Sequence, residues 1–116
     1  MSGDYTVTVR RRGEVTRERH AERRDALAAV ENLGRELESE ADGQPFGGGL
    51  MRKIEPARLV VGRIELSGPG RLRAGLDVRG DGSSEAFTGR VRRQVVEQRR
   101  GESAYQALRR VVKSWA

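Results

Sequence analysis

Alternating apolar and polar residues mark the start of the chain as a strand. Over residues 5–11, Val7 and Val9 share one face while threonines and an arginine take the other, which is the period-two pattern of a half-buried strand. The Arg-Gly pair at 12–13 is typical of a turn. The charged segment 14–19 predicts a return strand at a sheet edge, where charges deter edge-to-edge association. The chain is therefore predicted to begin with a β-hairpin.

A longer amphipathic segment follows the hairpin and predicts a helix over residues 22–41. Leu27, Val30, Gly34 and Leu37 recur at intervals of three and four, so they form one apolar stripe on a helix. A glycine in a helix interior costs about 1 kcal/mol of helix propensity, so Gly34 predicts a close contact with the sheet. The later exposed face is acidic and carries Glu31, Glu36, Glu38 and Glu40.

The middle of the chain consists of an aperiodic segment followed by alternating, strand-like segments. Residues 42–56 are rich in glycine and proline without periodicity, which predicts a flexible loop. Segments 59–67 and 72–79 alternate again and predict two strands, with a Gly-Pro-Gly turn at 68–70 between them. A Gly-Asp-Gly-Ser turn then leads to the next strand-like segment.

Residues 84–97 fit two secondary structures. Phe87, Val91 and Val95 have the common parity of a strand face, but their spacing of four also fits a helix. The valine content, Gly89 and the preceding turn favour a strand, with those three apolar residues facing the core.

The last element is predicted to be a helix that runs to about residue 115. Ser103 and Gln106 have the spacing of a capping box, in which each side chain bonds the other residue's backbone N–H. The apolar stripe of this helix consists of Ala104, Leu108, Val111, Val112 and Trp115. Together the elements, in the order ββαβββα, predict an α+β fold with a single, mostly antiparallel sheet and two helices packed on one face.

Length and composition limit what such a fold can be. A chain of 116 residues allows one domain, here taken as residues 1–116 with the loop at 42–56. The absence of cysteine excludes disulfides, a thiol nucleophile and cysteine-bound zinc, and the single histidine excludes a histidine-rich metal centre. No catalytic motif is present, so we expect no enzymatic activity, no metal and no cofactor. No stretch approaches the roughly 20 apolar residues of a membrane span, and the N-terminal residues lack a signal-like apolar run, so we expect a cytoplasmic protein without membrane contacts.

Charge is the feature that suggests a partner. The chain has 23 Lys+Arg against 17 Asp+Glu, a formal +6, and 21 of the cations are arginine. Net charge is +2 over residues 1–20, −3 over 21–56, +2 over 57–83 and +5 over 84–116. The planar guanidinium matches phosphate oxygens bidentately, which favours a nucleic-acid partner. A GC-rich genome, whose codons favour arginine wherever a cation is tolerated, explains the excess of arginine equally well.

The predicted strand parity collects these arginines on the sheet face opposite the helices. The candidate nucleic-acid-binding residues are Arg10, Arg63, Arg71, Arg73, Arg79, Arg90 and Arg92 on the sheet, and Arg109, Arg110 and Lys113 on the last helix. Since nearly all aromatic residues fall on predicted core faces, we expect contacts to the nucleic-acid backbone rather than base stacking. A solvated face with arginine–carboxylate pairs remains the competing interpretation.

Two functions of different classes follow. The first is a small non-enzymatic binding module that contacts the backbone of DNA or RNA through the arginine-rich sheet face and the last helix. The second is a protein–protein interaction or assembly subunit, in which the acidic first helix of one copy meets the basic C-terminal third of another. The sequence alone does not choose the nucleic acid, the oligomeric state or the biological process.

Overall fold

One antiparallel sheet and two helices form the part of the chain that the structure, a computed structural model, describes: residues 4–41 and 59–115. The elements are β1 (Tyr5–Arg11), β2 (Glu14–His20), α1 (Arg23–Glu40), β3 (Val60–Gly68), β4 (Leu72–Arg79), β5 (Ser84–Thr88), β6 (Gln94–Val95) and α2 (Ala104–Lys113). The α+β fold is confirmed. The predicted loop at 42–56 lies outside the described residues.

The six strands form an open sheet in the order β2-β1-β3-β4-β5-β6, and every neighbouring pair is antiparallel. Arg11 pairs with Glu14, so Arg12 and Gly13 alone connect β1 to β2. Both have positive φ, 46° and 78°, which is the geometry of the two-residue hairpin turn that suits the strand twist. This turn fixes the register of the edge strand β2.

Both helices pack on the same face of the sheet, as predicted. Helix α1 contacts β1, β3 and β4, and helix α2 contacts β4 and β5. Their apolar stripes and the inward side chains of the strands form one core, which includes Val7, Val30, Ile64, Leu76 and Leu108. No helix of the described residues packs on the other face. This open face carries Thr6, Thr8, Arg10, Arg17, Arg19, Arg63, Glu65, Ser67, Arg73, Gly75, Asp77, Arg79, Glu85 and Phe87.

Gly34 does make the close contact that its place in the stripe suggests, but with the other helix. A Cβ built on Gly34 would lie 2.7 Å from Cε1 of Tyr105 and closer still to the hydroxyl of that tyrosine. The prediction that Gly34 contacts the sheet is therefore wrong. Because glycine has no side chain, α1 accepts the ring of Tyr105 directly against its backbone.

A single carboxylate joins three elements beside this contact. Glu38 of α1 accepts hydrogen bonds from the Tyr105 hydroxyl at 2.5 Å and from the Ser84 hydroxyl at 2.6 Å. The guanidinium of Arg35 lies 4.7 Å from the centre of the tyrosine ring. Burial of Tyr105 and its bond to Glu38 both raise the pKa of the phenol, so it remains a hydrogen-bond donor at ordinary pH.

Residues 84–97 form a hairpin rather than one strand. Strand β5 ends at Thr88, Gly89 turns with φ 91°, and β6 returns with Val95 opposite Phe87. Ala86 pairs with Leu76 on the helix side, so Phe87, one residue on, faces the open side opposite Gly75. The prediction that Phe87, Val91 and Val95 face the core is wrong. Val91 and Val95 are 91% and 56% exposed.

The C-terminal helix begins as its sequence predicts. Gln106 N donates to the Ser103 hydroxyl at 3.1 Å, and Ser103 N donates to the Gln106 side chain at 2.8 Å, which confirms the capping box. Ala104, Leu108 and Val112 of the predicted stripe are buried. Beyond the end of the helix, Trp115 Nε1 donates to the carbonyl of Gly70 at 2.8 Å, which ties the chain end to the β3–β4 turn.

Within residues 4–41 and 59–115, no helix is long and apolar enough to cross a membrane.

Replacing Gly34 with alanine is expected to destabilise the protein, although the same change in a helix interior ordinarily stabilises by about 1 kcal/mol. The new methyl group would overlap the ring of Tyr105, and overpacking of this kind costs about 1–3 kcal/mol. Urea denaturation of wild type and Gly34→Ala measures the difference.

The matched control introduces the same change after the ring has been removed. In a Tyr105→Ala background, Gly34→Ala is expected to stabilise, because only the helix-propensity gain remains. Destabilisation of similar size in both backgrounds would show that the Gly34–Tyr105 contact is not the cause.

Candidate nucleic-acid interface

Cross-strand ion pairs neutralise several arginines of the open face. Arg63 bonds both carboxylate oxygens of Asp77, at 2.5 and 3.3 Å, and this bonding raises the pKa of the guanidinium. Arg79 bonds Glu85 at 2.8 Å, and Arg10 bonds a carboxylate on β3 at 2.7 Å. These pairs follow from the register, which sets opposite charges on neighbouring strands side by side. The guanidinium groups of Arg63 and Arg79 are therefore already bonded to carboxylates of the sheet.

A shallow groove of about 220 Å³ on the open face brings several arginines together. Its charged lining consists of Arg10, Arg17, Arg73 and Arg90 with one carboxylate, Glu65. Among the described residues, no carboxylate lies within 4.0 Å of Arg17, Arg73 or Arg90. The hydroxyls of Thr8 and Ser67 line the same groove and add neutral hydrogen-bonding groups.

An aromatic ring also belongs to this groove. Phe87 lines it, yet only 4% of the residue is exposed. The ring lies over Gly75, where a Cβ would be 2.6 Å from the Cζ of Phe87. Two guanidinium groups cover it, that of Arg63 at 5.7 Å and that of Arg93 at 5.0 Å from the ring centre. Both distances are within the range of cation–π attraction.

The cations of α2 lie on the helix side of the sheet, away from the open face. Arg109 bonds Glu31 of α1. Arg110 bonds both oxygens of Glu102, each at 2.9 Å, and these bonds contribute most to lowering the pKa of the Glu102 carboxyl to about 2. Lys113 is exposed. The candidate cations of α2 and the candidate arginines of the sheet therefore lie on opposite sides of the sheet.

Three other candidate arginines leave the strands altogether. Arg71 lies in the three-residue β3–β4 turn, with φ 59°. Arg90 and Arg92 lie in the turn at 89–93 instead of on a strand face, because β5 ends at Thr88. Arg90 nevertheless reaches the groove, whereas Arg71 and Arg92 are not among its lining residues.

Two arginines near the groove were missed from the sequence. Arg17 lies in a segment whose charge pattern indicates only an edge strand. The two-residue turn at 12–13 sets it opposite Thr8, and this pairing was available from the sequence. Arg93 follows an aperiodic turn, so no sequence pattern indicates that it covers Phe87. Among the described residues, no group of three or more potential metal ligands comes together.

The Arg110–Glu102 pair predicts a pH-dependent difference between two helix variants. Because the carboxyl pKa falls from 4.5 to about 2 on folding, the pair contributes stability above pH 4.5 that is lost as pH falls through 2. Thermal melting of wild type and Arg110→Ala between pH 6 and pH 2 is expected to show a gap that narrows at low pH.

Lys113→Ala is the matched control, since it removes a cation of the same helix that makes no hydrogen bond or ion pair with the described residues. Its melting temperature is expected to follow that of wild type across the range. A gap for Arg110→Ala that stays constant down to pH 2 would contradict the ion pair as its cause.

Comparison with known proteins assigns no relationship to this chain. No protein-family model, curated protein or solved structure matches it. The function of the open face therefore has to be inferred from its own residues, their charges and their positions.

Proposed function

We propose that the chain is a non-enzymatic module that binds the phosphate backbone of nucleic acid in the groove of the open face. The observation that carries this proposal is the convergence of Arg17, Arg73 and Arg90 on one groove without a carboxylate partner among the described residues. Guanidinium groups that line one groove without carboxylate partners repel one another, and an anion between them relieves the repulsion.

The chemistry of the groove suits phosphate diesters better than other anions. Arginine donates paired N–H groups to two oxygens of one phosphate, and the hydroxyls of Thr8 and Ser67 offer further donors to backbone oxygens. Several cations in one groove can contact more than one phosphate of the same strand. Binding of this kind releases counterions, so the affinity falls with salt.

The binding surface in this proposal is smaller than the one expected from strand parity. Arg63, Arg79, Arg109 and Arg110 are engaged in ion pairs within the chain. Their charge is already compensated, and breaking those pairs would offset part of the binding energy. The proposed site therefore consists of Arg17, Arg73 and Arg90, together with Arg10, whose ion-pair partner Glu65 lines the same groove.

The alternative of assembly through the acidic helix has less support. Glu31 bonds Arg109, Glu38 bonds Tyr105 and Ser84, and Glu40 bonds Arg11 at 2.8 Å. The acidic helix thus meets cations and hydroxyls of its own chain, so few of its carboxylates are left for another copy.

Replacing Arg17, Arg73 and Arg90 together with serine is expected to weaken binding of a single-stranded oligonucleotide about tenfold or more. The loss of about three phosphate contacts also makes the slope of log affinity against log salt shallower by about 2. Fluorescence anisotropy with a labelled oligonucleotide at several salt concentrations measures both quantities. The melting temperature is expected to change little, because these side chains are exposed.

A control with the same change in charge separates the groove from net charge. Arg23, Arg24 and Lys113 line a different depression between the helices, and their replacement with serine also removes three positive charges. This control is expected to bind nearly as wild type does. Equal weakening in both triple variants would mean that the net charge, and not the groove, attracts the nucleic acid.

A further inference from the structure

The placement of Phe87 on the open face indicates which form of nucleic acid the groove binds. This inference rests on the function proposed above. A ring on a sheet face beside a cationic groove is the arrangement on which single-stranded bases stack. In the free protein this ring is not accessible, since Arg63 and Arg93 cover it. Stacking on Phe87 therefore requires one of the two guanidinium groups to leave.

We propose that the partner is single-stranded nucleic acid and that one base stacks on Phe87 in the place of the Arg93 guanidinium. The displaced guanidinium then pairs with a phosphate of the same strand. The positive charge that covers the ring in the free protein becomes a backbone contact in the complex. No covalent step is involved.

Arg93 is the cover that is easier to remove. Among the described residues, its one bond to a carboxylate is with Glu65 and is 3.4 Å long. Glu65 keeps a shorter bond of 2.7 Å to Arg10 when Arg93 leaves. Arg63, in contrast, is held by both oxygens of Asp77. Arg93 also lies in the turn at 89–93, before a strand of only two residues. The displacement thus leaves no carboxylate unpaired.

The exchange also predicts that a duplex does not bind in this way. In a double helix the faces of the bases are stacked on one another and do not reach a ring on a protein surface. A single strand offers both the free base face and the phosphates that draw Arg93 away. Stacking of a base on an aromatic side chain contributes about 1–3 kcal/mol, which corresponds to roughly a 5-fold to 150-fold change in affinity.

Three probes of equal length test the inference: an oligothymidylate of about eight nucleotides, an abasic strand with the same phosphates, and a duplex. Wild type is expected to bind the oligothymidylate about tenfold more tightly than the abasic strand. Phe87→Leu is expected to bind both strands with the affinity that wild type has for the abasic one. The comparison of strands within wild type does not depend on whether the variant folds.

The Arg93→Ala variant tests whether a base replaces the Arg93 guanidinium on the ring or stacks on that guanidinium. If a base replaces its guanidinium, the variant keeps the preference for oligothymidylate over the abasic strand, because the ring is uncovered. Loss of that preference would mean that the base stacks on the guanidinium itself, which overturns the exchange.

The remaining outcomes separate this inference from the proposed function. Equal binding of oligothymidylate and abasic strand by wild type, or duplex binding as tight as that of oligothymidylate, overturns base stacking and leaves backbone binding in place. Binding of none of the three probes overturns both proposals.

Discussion

The hydrogen bonds that Glu38 accepts from Tyr105 and Ser84 connect the helix layer to the sheet. They join α1, α2 and β5 at one carboxylate, and Gly34 gives the tyrosine ring room to reach it. With Ser84 turned to the helices, the alternation of β5 turns Phe87 to the opposite side. The register of β5 against β4 that places Ser84 on the helix side also places Phe87 on the open face.

Part of the positive charge of the protein is compensated by ion pairs within the chain. The acidic helix bonds to the basic C-terminal third of the same molecule, as Glu31 does with Arg109, and the sheet pairs its own charges, as Arg63 does with Asp77. Pairs of this kind are screened where they are exposed, so they contribute more to register than to stability. The arginines that stay without a carboxylate partner in the described residues are informative because so many others have one. Three of them, Arg17, Arg73 and Arg90, line the groove of the open face.

The candidate site was only partly predictable, because the period-two pattern of a strand does not show where that strand ends and the chain turns. Arg10 and Arg73 lie on strands whose parity was correct, and both reach the groove. Strand β5 has five residues, and the chain turns back at Gly89. Phe87, Val91 and Val95 therefore do not lie on one strand, although their spacing fits one. Arg90 reaches the groove from a turn, and Arg93 reaches Phe87 from the same turn. Both placements depend on the direction in which that turn projects.

By itself, the sequence determined the local structure: the hairpin at Arg12 and Gly13, the stripe of α1, the clean alternation of β4 and the capping box at Ser103. These features depend on near neighbours in the chain, whose backbone preferences and side-chain periodicity act over a few residues. Only the tertiary structure decided which arginines are paired, that Gly34 receives Tyr105, and that Phe87 faces the open side. Those outcomes depend on contacts between residues far apart in sequence, and for a given side chain such contacts determine both its partners and its exposure to solvent.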